Sequence, residues 1–436
     1  MIDLSNSLPI SSSELKERTN LDGYSSAKEQ YTKLGMDVDE CLKKLAGIPL
    51  SIHCWQGDDV GGFEHPDATL AGGGILATGN YPGKARSIEE LKQDLEFALS
   101  LIPGTHRVNL HAIYGDFTSG RRERDEINID NFQSWVDWAL ERNLGIDFNA
   151  TLFSHPKANS GFTLSSKDKT IRDFWISHVQ RCREISSKMG KQLKTPVIHN
   201  LWIPDGSKDI PVDRMGHRML LKESLDEIYS VKYPRTEMKD ALEGKLFGIG
   251  SESFVVGSHD FYLSYAIANS IMLTMDTGHY HPTESVADKI SSILPFTDEV
   301  LLHVSRGVRW DSDHVVLLSD DLVQLAEELV RRDAIRKVHL ALDYFDASIN
   351  RIGAWIIGAR ATQKSILYAL LQPWEQLIEY EESDKNFQRL ALLEELKTLP
   401  FGTVWNHFCD MMKVPAGPDW IEKVEEYEES FQRKRM

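Results

Sequence analysis

Short apolar runs recur along the chain, separated by stretches in which apolar residues return every three or four positions. Eight runs read as strands: IPLSIHCW from Ile48, RVNLHAIY from Arg107, LGIDFNAT from Leu144, PVIHNLWIP from Pro196, KLFGIGSE from Lys245, IMLTMD from Ile271, EVLLHVS from Glu299 and KVHLALD from Lys337. Each is rich in Ile, Val, Leu or Phe, as strands covered on both faces should be. Helical patterns lie between them. Ser87 to Glu90 has the spacing of a capping box, and Leu91, Leu95, Ala98 and Ile102 then share one face. Leu322, Leu325, Ala326, Leu329 and Val330 form the same kind of stripe after Ser319. DNFQSWVDWALERN and KTIRDFWISHVQRCREISSKMG read as two further helices. Strand and helix alternating eight times predict an α/β chain folded as a (β/α)8 TIM barrel, whose sites form at the carboxyl ends of the strands. An open, doubly wound sheet would alternate in the same way, and only the strand-end residues described below favour closure.

The pattern divides the chain into a polar N-terminal extension (1–24), a barrel (25–353) and a helical C-terminal extension (354–436). Ser26 to Leu45 reads as an amphipathic helix ahead of the first strand. The C-terminal part is rich in Glu and aromatics, which fits packing or subunit contact. The first strand–helix connection, from Gln56 to Arg86, is unusually long and glycine-rich, a kind of loop that is usually functional. A phosphate cradle does not fit it: Gly79 to Ala85 has the wrong spacing for a P-loop, and no Ser or Thr follows Lys84.

Composition narrows the class. Hydrophobic residues make up 41% and charged residues 26% of the 436, ordinary values for a globular protein. The net charge of −17 disfavours a nucleic-acid partner, which requires clustered Lys and Arg. Cys41, Cys54, Cys182 and Cys409 follow no zinc or redox spacing. The N-terminus lacks an apolar signal core, and no apolar stretch is long enough for a membrane span. The expectation is a soluble cytoplasmic protein.

Candidate chemistry lies at the strand ends. Glu252, Asp276, His303 and Asp343 each stand at or near the end of an apolar run. Any one of them could be a helix cap or a hydrogen-bonded core residue. Several carboxylates at the ends of buried strands, however, need a cation to offset their repulsion. Oxygen-rich sites with one imidazole suit Mn2+, Mg2+ or Co2+. His279 and His281 in DTGHYHP, and Asp311 and Asp313 after Trp310, add donors beyond what one octahedral ion accepts, so two adjacent ions are expected. The remaining strands end in Trp55, His111, Asn149 and Trp202, a lining suited to a polyol. Arg306 and Arg309 beside the ligands keep a metal-dependent hydrolase or phosphodiesterase open as an alternative.

The segments SIHCWQGDD, NLHAIY, NLWIPDG, DTGHYHPTE, LLHVSRGVRWDSDHVV and LDYFDASINRI are similar to those of the L-rhamnose isomerase family, from about Tyr31 to the C-terminus. That resemblance implies a barrel of the xylose-isomerase type, a homotetramer, a small sugar substrate, and interconversion of L-rhamnose and L-rhamnulose. It implies a structural metal on Glu252, Asp276, His303 and Asp343, and a catalytic one, commonly Mn2+, on His279, Asp311 and Asp313, with Co2+, Mg2+ or Zn2+ as substitutes. It also implies that Asp311 or Asp343 steers a proton-carrying water, with His111 and Trp202 near the sugar. Val60, Leu70 and Ile113 would form an apolar surface for the methyl group, and Phe63 would reach a neighbouring subunit's site. Hydrogen would pass between C2 and C1 as a hydride.

Overall fold

A computed structural model describes residues 23–64, 79–118, 120, 122–245, 253–308 and 312–435. Ten strands occur among them: β1 (Pro49–His53), β2 (Thr105–His111), β3 (Gly145–Asn149), β4 (Val197–Trp202), β5 (Gly206–Ser207), β6 (Met238–Glu243), β7 (Phe254–Val255), β8 (Met272–Asp276), β9 (Val300–Val304) and β10 (Val338–Leu342). Eight of them close into a barrel in the order β1-β10-β9-β8-β6-β4-β3-β2, with every pair parallel. The other two, β5 and β7, form a short antiparallel ribbon. Closure settles the choice between barrel and open sheet.

The interior is filled from below the site. Ile198, Ala241, Met272, Leu301 and Ala341, from five different strands, form one apolar cluster. Residues of five strands in a closed ring can meet only inside it, so this layer plugs the barrel and leaves chemistry to its carboxyl rim.

Seven barrel strands coincide with the expected runs. The fifth does not: the strand between β4 and β8 is Met238–Glu243 rather than KLFGIGSE. Its sequence, MKDALE, hid it because three of its six residues are charged. Those charges have partners that a one-dimensional reading cannot see. Lys239 Nζ lies 2.8 Å from the Glu299 carboxylate, and Asp240 receives Nε and Nη2 of Arg183 at 2.8 Å each.

The helices begin where the caps predict. Ser87 accepts from Glu90 N–H at the start of the helix Ile88–Leu99. The Glu90 carboxylate accepts from Arg86 N–H at 2.8 Å, one residue before the position a capping box would use. Ser319 caps Asp320–Val330, and Asp168 caps Lys169–Leu193. The N-terminal helical stretch is two helices, 23–32 and Val38–Ala46, broken near Gly35 at φ +83°. The helix Arg351–Leu370 spans the expected 353/354 boundary and is tied to the barrel, with Trp355 Nε1 donating to His53 O at 2.8 Å. No helix among the described residues is long and apolar enough to cross a membrane.

Candidate metal centre

Four side chains converge on the carboxyl rim of the barrel. Glu243 ends β6, Asp276 ends β8, His303 lies near the end of β9, and Asp343 directly follows β10. One donor atom from each lies within 4.8 Å of the other three. His303 Nδ1 stands 3.1 Å from Asp343 Oδ2, 3.5 Å from Glu243 Oε1 and 3.9 Å from Asp276 Oδ2.

Each carboxylate has one oxygen engaged by the protein and the other turned toward this point. Glu243 Oε2 accepts from Asn200 Nδ2 at 2.7 Å, and Asn200 is itself oriented by Thr274 Oγ1. Asp276 Oδ1 accepts from Gly278 N–H at 2.6 Å and Ser305 Oγ at 2.7 Å. Asp343 Oδ1 accepts from Trp55 Nε1 at 3.1 Å. The inward atoms Glu243 Oε1, Asp276 Oδ2 and His303 Nδ1 are buried without a hydrogen-bond partner. Orphaned polar atoms of this kind are costly unless something binds them. Three oxygens and one imidazole fit a divalent cation such as Mn2+.

The electrostatics agree. Burial pushes the Asp276 carboxyl up to about 7; Asp343 and Glu243 add to the rise, and His279 opposes it. Burial would raise Glu243 too, but His303 and His279 outweigh it and hold the carboxyl down to about 2. Burial would lower His303, yet Glu243 and Asp343 leave it well above its ordinary value. The cluster thus demands positive charge at its centre.

The expected ligands therefore separate. Asp276, His303 and Asp343 are brought together, and Glu243 is the glutamate that joins them. Glu252, Asp311 and Leu70 lie outside the described residues. His279 Nδ1 lies 3.2 Å from Glu243 Oε1 and 3.1 Å from Gly244 O. His281 is exposed. Asp313, at φ +45°, accepts from Phe345 N–H through its carbonyl, which keeps its loop beside Asp343.

Aromatic walls rise beside the cluster. The Trp55 and His111 rings stand 4.8 Å apart edge-on, and Phe153 lies 5.5 Å from His111 and 5.9 Å from Trp202. Trp202 Nε1 is buried with no hydrogen-bond partner among the described residues. Lys245 Nζ sits 4.9 Å over the Trp202 ring. His111 Nδ1 meets Thr151 Oγ1 at 3.2 Å, and burial drives its pKa down to about 3 against the pull of Glu243, so the ring is neutral. Asn149 spends its amide on Asn109 and Leu110 O instead of the cleft. Val60 and Ile113 are buried, and the Phe63 ring packs edge-on against Tyr114. Glu243, Asn200, Lys245 and Phe153 were not singled out from sequence. Only Glu243 left a usable signal, as a carboxylate closing a six-residue segment in the right place.

Of the two arginines behind the phosphoester-hydrolase alternative, Arg306 donates Nε to Val315 O at 2.8 Å within its own loop, and Arg309 lies outside the described residues; the family comparisons that follow do not favour that alternative. A family model described as L-rhamnose isomerase (RhaA) matches residues 19–435. The chain is 54% identical over 409 residues to an L-rhamnose isomerase of Rhodopirellula baltica, covering 94% of this chain and 95% of that protein. It is 53% identical over 420 residues to one of Bacteroides thetaiotaomicron, covering 96% and 100%. A Listeria monocytogenes protein of the same name is 50% identical over 412 residues, covering 94% and 98%.

Proposed function

The chain belongs to the L-rhamnose isomerase family, and from that premise we propose that this isomerase interconverts L-rhamnose and L-rhamnulose with Mn2+ held by Glu243, Asp276, His303 and Asp343. The observation that carries the reading is the inward turn of three carboxylate oxygens and one imidazole nitrogen, of which those of Glu243, Asp276 and His303 are buried and otherwise unmatched. Co2+, Mg2+ or Zn2+ would suit the same donors. A second ion on His279, Asp311 and Asp313 belongs to the same proposal, supported by the acceptors around His279. When bound, such a cation supplies Lewis acidity at the sugar's carbonyl and hydroxyl oxygens.

The chain's own residues do the rest. A proton must leave O2 and reach O1, while hydrogen moves with its electron pair from C2 to C1; the C1 carbonyl becomes a hydroxyl and the C2 hydroxyl a carbonyl. Asp343, fixed through Trp55, and Asp311 are the carboxylates that steer the water carrying the proton. Neutral His111, with Nδ1 committed to Thr151, offers its other nitrogen to a sugar hydroxyl. Trp202 Nε1 offers a donor, and Lys245, over the Trp202 ring, adds positive charge to the same wall. The Trp55, Phe153 and Trp202 rings exclude bulk water, which suits a direct hydride shift. Val60, Ile113 and Leu70 accept the methyl group, and Phe63 faces a neighbouring site in a cytoplasmic homotetramer.

The test is L-rhamnose isomerisation by EDTA-treated protein, followed by return of each divalent metal. Ketose formation restored best by Mn2+ is expected. Metal-replete protein that forms no ketose from L-rhamnose would sink the reading.

A further inference from the structure

Arg351 opens the helix Arg351–Leu370 and is only 2% exposed. Its guanidinium makes four bonds. Nε and Nη2 donate to the two oxygens of Asp59 at 2.8 Å each. Nη1 donates to Tyr81 O at 2.6 Å and to Pro82 O at 3.0 Å. Asp59 and Tyr81–Pro82 belong to opposite ends of the long connection after β1. One planar fork thus joins two chain segments that are more than twenty residues apart in sequence, a geometry that lysine cannot reproduce. The fork is mounted on a rigid base, since Trp355 of the same helix is bonded to the barrel at His53 O.

The turn it holds is strained. Asp59 has φ +63° and Val60 has φ +60°, a left-handed backbone that a β-branched residue rarely adopts. Such conformations persist where the surroundings dictate them, and they concentrate at functional sites. Val60 N–H donates to Trp55 O at 3.1 Å, and Trp55 in turn holds Asp343. Asp58 accepts from Gly62 N–H at 2.7 Å and from Tyr114 OH at 2.6 Å. Gly62, at φ +68°, lies so near Ile113 that an added Cβ would come within 2.7 Å of it. The turn therefore connects Arg351 to Trp55 on one side and, through Gly62, to Ile113 on the other.

We propose that Arg351 is a positioning residue for substrate specificity: through Asp59 it fixes the Asp59–Val60 turn, and so sets the apolar surface that meets the methyl group of the sugar. The proposal rests on the L-rhamnose reading above, and its effect should be confined to the methyl end of the sugar. L-Lyxose, the corresponding five-carbon aldose without the methyl, is the control substrate.

Arg351→Lys and Asp59→Asn, made in the full chain with Mn2+ present, test the clamp. Asparagine tolerates a left-handed backbone, so Asp59→Asn keeps the turn accessible and removes the paired charge. Hydrogen exchange should rise about tenfold in peptides from both ends of the connection (57–63 and 80–85), while β8 and β9 stay protected. KM for L-rhamnose should rise about tenfold, with kcat within about threefold and KM for L-lyxose within about twofold of wild type. Unchanged exchange, a rise at one end alone, or an equal loss on both sugars would overturn the proposal. Wild-type enzyme in the same assay separates the two ideas. If wild type fails to turn over L-rhamnose, the underlying reading falls and the specificity role goes with it. Normal wild-type turnover with unmoved KM in both variants would overturn the clamp alone.

Discussion

Replacing Asn200 with alanine should weaken cation binding without touching a ligand. Asn200 Nδ2 holds Glu243 Oε2 at 2.7 Å in a buried setting, and Thr274 Oγ1 holds Asn200 Oδ1 at 2.7 Å. A hydrogen bond to a charged group contributes about 1.5–3 kcal/mol. Partners standing behind metal ligands typically alter affinity by about 10–100-fold. The two ranges meet near 2 kcal/mol, or about a 30-fold rise in Kd. Calorimetric titration of EDTA-stripped protein with Mn2+ measures it directly. Thr274→Val, which leaves the Asn200 amide in place, should cost only about threefold, because it removes the orienting bond alone. Near saturating Mn2+ the Asn200→Ala enzyme should recover most of its kcat. A Kd within about twofold of wild type would refute the argument that Asn200 orients the Glu243 carboxylate.

Three further outcomes are expected, the first from the proposed function and the others from the structure. Asp311→Asn should lower kcat by at least about a hundredfold in the L-rhamnose assay while leaving the circular dichroism spectrum intact; full activity would remove Asp311 from the mechanism. Arg124 is 2% exposed, pairs with Glu64 at 2.9 Å and donates to the carbonyls of Thr151, Phe153 and Ser154. Arg124→Met breaks this buried ion pair and takes the donor from three carbonyls, and should cost about 3–5 kcal/mol in urea unfolding, so an unchanged midpoint would contradict it. Burial pushes the Asp58 carboxyl from 3.8 up to about 7, against the bonds from Tyr114 and Gly62. A folded pKa above the unfolded one gives stability that is full below pH 4 and lost as pH rises toward 7. Stability of Asp58→Asn relative to wild type should therefore improve between pH 4 and pH 8, by up to about 4 kcal/mol; a flat difference across that range would count against the shift.

The sequence was most readable where chemistry and hydrophobic pattern coincided. IMLTMD, EVLLHVS and KVHLALD are apolar runs that end in or next to a lone polar group, and all three proved to be rim strands carrying a converging donor. MKDALE broke the pattern because Lys239 and Asp240 point to partners on other elements, Glu299 and Arg183. The next apolar run, KLFGIGSE, has the better strand pattern in one dimension, and it points to Glu252, which lies outside the described residues, where the barrel rim presents Glu243. Asn200 shares its strand with the bulkier Trp202, and nothing in one dimension tells which polar residue faces a neighbouring carboxylate. Arg351 lies within the segment LDYFDASINRI, but nothing in one dimension marks its role. Its importance comes from touching both ends of a connection some 270 and 292 residues away in sequence.

Bound manganese after gel filtration of Glu243→Gln and Glu252→Gln, set beside the wild type, tests the central claim most directly. The account predicts that Glu243→Gln loses the tightly held ion and the isomerisation of L-rhamnose, while Glu252→Gln retains both. An ion and activity that survive in Glu243→Gln but vanish in Glu252→Gln would contradict it.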